Sequence, residues 1–147
     1  MISLLPVLSL VIAALAVFFG PIIQLSIAKK QIRASVLSAN RQRWIDTLRE
    51  QLAEFINTTS ELKALSYMSV GGQALVDKTA KMQLLRTKIS LMLNPLETDH
   101  QQLLTLIEVA ATSVTKSGEE DKMDVPAIMA LSKTILKREW ERVKASQ

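Results

Sequence analysis

His100 is the one histidine in a chain that contains no cysteine. Such a chain has no thiol nucleophile, no thiolate metal site and no disulfide. Any imidazole general base must therefore be His100. No nucleophile-elbow glycine pattern presents a serine for it to activate. His100 instead shares a helix stripe with Leu103, Ile107, Ala110 and Val114, so a packed or capping role is expected. Metal binding needs several His or carboxylate ligands, and the Asp and Glu residues are scattered. Glu119-Glu120-Asp121 reads as a solvated loop. Gly71-Gly72 lacks the lysine and hydroxyl spacing of a phosphate-cradling loop. No catalytic residue, cofactor site or metal site is expected, and the chain is not read as an enzyme.

The cations are unevenly placed. Of the 18 Lys and Arg residues, Lys29, Lys30, Arg33, Arg41, Arg43 and Arg49 fall within 29–49, against the single acid Asp46. This excess accounts for the net charge of +4, because the rest of the chain nearly balances. A nucleic-acid partner would call for basic charge on a folded face. Here the excess follows an apolar run, where anionic headgroups attract cations. Lys29, Lys30 and Arg33 are read as the membrane-flanking basic residues. A basic collar around a pore, or an RNA-contacting surface, is the sharper alternative.

No charged side chain occurs from Met1 to Ala28. A helix rises 1.5 Å per residue, so about 20 apolar residues span a hydrocarbon core. The run is long enough to cross with some tilt. A cleaved signal peptide would carry a basic n-region, a shorter apolar stretch and an Ala-x-Ala site, none of which is evident before Lys29. Gly20-Pro21 interrupts the run and is a place for a bend. The cations lie on the C-terminal flank only. The expectation is a single pass in the inner, cytoplasmic membrane, with the N-terminus outside and the C-terminus in the cytoplasm. Ser9, Gln24 and Ser26 are the polar candidates for facing a pore or a neighbouring helix.

Beyond the run, 48% hydrophobic and 4% aromatic residues, with four glycines and four prolines, favour packed helices over a many-turned β fold. The fold class is all-α: one transmembrane helix continuing into a cytoplasmic helical bundle. The expected divisions are 2–28 as span, 29–57 as basic stalk helix and 58–147 as bundle. Ile45, Leu48, Leu52 and Phe55 step 3-4-3 along one face of the stalk. They are either intramolecular core or a stripe that joins subunits. Asn57-Thr58-Thr59-Ser60 is expected to break the helix and cap a shorter one with Leu62, Leu65 and Met68 inward. A helix is expected over 73–93, with Met82, Leu85, Ile89 and Met92 on one face. Asn94-Pro95-Leu96-Glu97 is a start signal placing the next helix at Pro95. Lys116 to Asp124 reads as a loop, and Asp124 with Pro126 opens the last helix. Ile128, Leu131 and Ile135, beside Met129, Leu136, Trp140 and Val143, give that helix a wide apolar face.

Residues 40–49, Asn-Arg-Gln-Arg-Trp-Ile-Asp-Thr-Leu-Arg, and 93–100, Leu-Asn-Pro-Leu-Glu-Thr-Asp-His, resemble segments of small bacterial membrane-anchored helical proteins. The order of span, basic helix and short bundle also resembles the accessory membrane proteins of RNA-targeting CRISPR systems. That resemblance implies an oligomeric pore in anti-phage defence, with a divergent HEPN-like bundle. A HEPN ribonuclease motif sets an arginine shortly before a histidine; here Asn94 stands six residues before His100, with no arginine between them. The expected function is thus a homo-oligomeric membrane protein that forms or gates a pore. The alternative is a membrane-anchored adaptor that recruits a cytoplasmic protein partner.

Overall fold

The computed structural model describes residues 4–68, 72–115 and 123–145. Side chains are described throughout except at 4–7, 10, 11, 14, 16, 18, 20, 22 and 23. The elements are α1 (Leu4–Tyr67), α2 (Gln73–Met92), α3 (Thr98–Thr115) and α4 (Val125–Lys144). No strand occurs among the described residues, as the composition predicts.

The chain divides into two compact units, Met1–Asn40 with Ser146–Gln147, and Arg41–Ala145. In the first unit, α1 runs through Pro21. Its described large apolar side chains are exposed: Leu8, Ile12, Leu15, Val17, Phe19, Leu25, Ile27, Ile32, Val36 and Leu37. Among the described residues no helix is long and apolar enough to cross a membrane. The expected span over 2–28 falls on about half of its positions outside the residues whose side chains are described.

The second unit is a bundle built from the C-terminal part of α1 and the three shorter helices. Residue numbers fall along α2 as they rise along α1. The Trp44 indole donates to the Met92 carbonyl at 3.1 Å, Glu54 meets Lys81 at 2.7 Å, and Glu61 pairs with Lys78. α1 and α2 are therefore antiparallel. The connection 93–97 returns the chain along α2, where Arg86 meets Glu108 of α3 at 3.3 Å. α4 in turn comes back along α3, so that Arg138 near its end reaches Asp99 near the start of α3 at 2.5 Å.

The core is the set of stripes that the 3-4 spacing predicts. Ile45, Leu48, Leu52 and Phe55 of α1 lie with Met82, Leu85 and Ile89 of α2, Leu103, Ile107 and Ala110 of α3, and Ile128 and Ile135 of α4, all at most 3% exposed. Burying each large side chain is worth about 1.5–3 kcal/mol, which is what holds helices of such modest length together. The stripe considered for joining subunits is thus spent inside one chain. Side chains this deeply buried present almost no surface to a second copy.

Several boundaries differ from expectation. The bundle begins at Arg41 rather than 58, because the four α1 core residues precede Asn57. The expected break at 57–60 is absent. Thr59 donates its hydroxyl to the Phe55 carbonyl at 2.6 Å and Ser60 donates to Ile56 at 2.8 Å. These back-bonds satisfy the hydroxyls within the helix, and burial of Thr58 and Thr59 selects the helical form over a cap. α3 starts at Thr98, not Pro95. The Asn94 side-chain carbonyl accepts from the Leu96 amide at 3.0 Å and the Asn94 backbone carbonyl from the Glu97 amide at 3.2 Å, which makes Asn94–Glu97 a separate turn. On α4, Met129 and Trp140 stay 44% and 40% exposed, while Ser132 and Glu139 take buried positions between Ile128, Ile135 and Val143. Met68 also points outward. Asp124 caps α4 as expected, accepting from the Ala127 amide at 2.9 Å with Pro126 in the first turn. The expected loop over 116–122 lies outside the described residues.

Candidate functional site

At the Arg41 end of the bundle, polar side chains from α1, the Asn94 turn, α3 and α4 meet, with the Met92 backbone carbonyl from α2. Trp44 supplies a wall from α1, held by its bond to the Met92 carbonyl. His100, 3% exposed, stacks on it with ring centroids 6.4 Å apart. The Asn94 turn aims its own backbone amide at His100 Nδ1, at 2.8 Å. The histidine therefore closes a backbone donor that the late start of α3 would otherwise leave open. This is the packed, capping role expected of it.

Arg138 links the turn to α4. Its guanidinium bonds Asp99 at 2.5 Å and also bonds Glu97. Glu139, nearly buried, accepts from Arg142 at 2.5 Å and lies 3.7 Å from Arg41. Burial works against the charge of Arg138, but Asp99 first, then Glu97 and Glu139, outweigh it and hold its pKa above the ordinary value. The result is an ion-paired clasp that ties α1, the Asn94 turn, α3 and α4 at one end. Beside it is an open recess of about 320 Å³, lined by Arg41, Trp44, Asn94, His100 and Arg142 among others.

Glu97, Asp99 and His100 bring ligand atoms within 4.8 Å of one another, the spacing of a metal site. Two features of the geometry oppose that use. Arg138 already places its positive charge between the two carboxylates. His100 Nδ1 accepts from Asn94, so the neutral ring carries its proton on Nε2. A nitrogen that holds a proton has no lone pair for a metal. For the same reason the 3.3 Å approach of Arg138 to Nε2 is a packing contact between two donors, not a hydrogen bond. Among the described residues that line the recess there is no serine or threonine.

The other candidate residues lie elsewhere. Lys29, Lys30 and Arg33 are exposed on α1 in the first unit, as are Ser9, Gln24 and Ser26. At about 100° per residue, Ser9 and Gln24 lie about 60° apart around the helix and Ser26 about 160° from Gln24. The three do not form a single polar stripe. Ile45, Leu48, Leu52 and Phe55 are core. Sequence reading missed Arg138 and Glu139, which carry the clasp. Their sole signal was Glu139 standing at a stripe position, four residues from both Ile135 and Val143. Comparison with protein-family models, curated proteins and solved structures gives no match to this chain.

Proposed function

We propose that this chain is a single-pass membrane protein whose copies assemble through the N-terminal helix and form or gate a pore. The observation that carries this reading is the uncharged run Met1–Ala28, with its described large apolar side chains exposed and Lys29, Lys30 and Arg33 directly after it. An exposed apolar face of that length is stable in lipid and costly in water. The cations set the orientation, with the bundle in the cytoplasm. Because the Ile45–Phe55 stripe is buried, assembly falls to the N-terminal helix or to an outer surface of the bundle.

The test has two arms. A periplasm-active reporter fused after Gln147 is expected to be silent and a cytoplasm-active one bright; the opposite pattern refutes the orientation. Purified full-length protein in liposomes is expected to release a small dye, whereas protein that leaves the vesicles tight refutes the pore. A second reading, a membrane-anchored adaptor for a cytoplasmic protein, is favoured by one observation. Ser9, Gln24 and Ser26 do not share a face, so a pore would lack a continuous polar lining from them. Tight vesicles together with a specific co-purifying protein would select the adaptor.

A further inference from the structure

α2 buries Met82, Leu85 and Ile89, yet its opposite side is apolar as well. Val76, Leu84 and Leu91 are 60%, 54% and 82% exposed, and Ala80 and Thr87 between them are exposed too. At about 100° per residue these five positions fall within an arc of about 80°, so they form one seam along the helix. From the charges beside this seam we infer that it docks a second copy of this chain, with the two α2 helices antiparallel about a two-fold axis near Leu84.

The pattern reads the same from either end. Reversed about its centre, the seam sets Val76 against Leu91 of the other copy, Ala80 against Thr87, and Leu84 against itself. Small residues face each other between large ones, which lets two helices approach closely. In an antiparallel two-fold pair, the same flank of each helix meets. Asp77 and Lys88 lie on the same flank, about 20° apart around the helix. Lys88 of one copy therefore comes opposite Asp77 of the other, twice. In the isolated chain Asp77 accepts from Gln73 of its own helix, at 2.7 Å, and Lys88 acts on Glu54 of α1 only through space, with no ion pair among the described residues. In a parallel pair opposite flanks would meet, and the other flank offers Thr79, Gln83 and Ser90 in place of a complementary charge. The seam is about 22 Å long from a single helix, at the small end of specific interfaces, so the dimer is expected to be weak. The inference is independent of how the N-terminal segment is disposed.

The natural absence of cysteine makes the test clean. Full-length protein in mild detergent would carry single cysteines. With oxidised glutathione added as the two-electron oxidant, Leu84→Cys is expected to form a disulfide dimer at least about tenfold faster than Lys133→Cys on the exposed surface of α4, because the seam holds the two thiols together. A mixture of Val76→Cys and Leu91→Cys chains is expected to cross-link to each other faster than either does to itself. The reverse preference would reveal parallel packing, and rates equal to the Lys133→Cys control would mean no seam; both overturn the proposal. As a second measure, Asp77→Lys or Lys88→Asp alone is expected to slow Leu84→Cys cross-linking several-fold, and the two together to restore it. Failure of the double reversal to restore the rate also overturns the assignment. All these positions are exposed, so unchanged thermal melting accompanies the expected result.

Discussion

Replacing Leu48 or Phe55 with alanine separates the two uses of the α1 stripe. Both side chains are fully buried, in a cluster that includes Leu52, Met82, Leu85, Ile89, Leu103 and Ile107. Leu→Ala in a core costs about 2–5 kcal/mol and Phe→Ala about 3–5 kcal/mol, from lost transfer energy plus the cavity left behind. The bundle, Arg41–Ala145, has about 105 residues. At about 2.1 cal/mol/K per residue its unfolding entropy is about 0.22 kcal/mol/K. A loss of about 3 kcal/mol therefore lowers the melting temperature by about 14 °C. The assay is a far-UV circular dichroism melt of full-length protein in mild detergent, with particle size measured in parallel. Both variants are expected to melt earlier at every protein concentration, with the size of the folded particle unchanged. A variant that keeps the native melting temperature while the particle becomes smaller would refute the core assignment. It would return the stripe to subunit assembly.

Three further outcomes follow from the geometry. Arg138→Met leaves Glu97, Asp99 and Glu139 without their shared cation. The expected loss is about 1–3 kcal/mol in a denaturant titration, below the figure for a fully buried pair because Arg138 is about a third exposed. Gly72→Ala places a side chain at φ 95°, ψ −161°, a region open essentially to glycine, with no neighbour to clash. An expected cost of about 1–3 kcal/mol is then purely backbone strain, and Gly72→Asn should be no milder. The hydrogen bond from Lys81 holds Glu54 below its ordinary value of 4.5, and that from Lys78 does the same for Glu61. A depressed carboxylate contributes stability that is present above the unfolded pKa and is lost as pH falls through the folded one. Melting temperature should therefore drop below about pH 4.5, and Glu54→Gln with Glu61→Gln should flatten that slope slightly, since both pairs are exposed.

Helical periodicity is a local property of the chain, so much of the bundle was legible in advance. The 3-4 stripes at Ile45–Phe55 and Met82–Ile89 report burial directly, because side chains three and four apart share a face whatever they pack on. The Asp124–Pro126 start and the all-α class are local in the same way. The uncharged run with cations behind it is likewise written in the sequence alone, and it supports the membrane proposal without reference to any contact. Which side of a contact a residue serves is not local. The α1 stripe was compatible with either core or subunit interface until three other helices closed over it. Thr59 and Ser60 read as caps, since their hydroxyls serve equally well at a helix start or in back-bonds to the preceding turn; burial of Thr58 and Thr59 chose the helix. The clasp was invisible because Glu97 and Asp99 lie some 40 residues from Arg138 and pair with it through charge, which has no periodicity. Sequence determined which residues must be covered; tertiary structure decided what covers them, because packing partners come from distant parts of the chain.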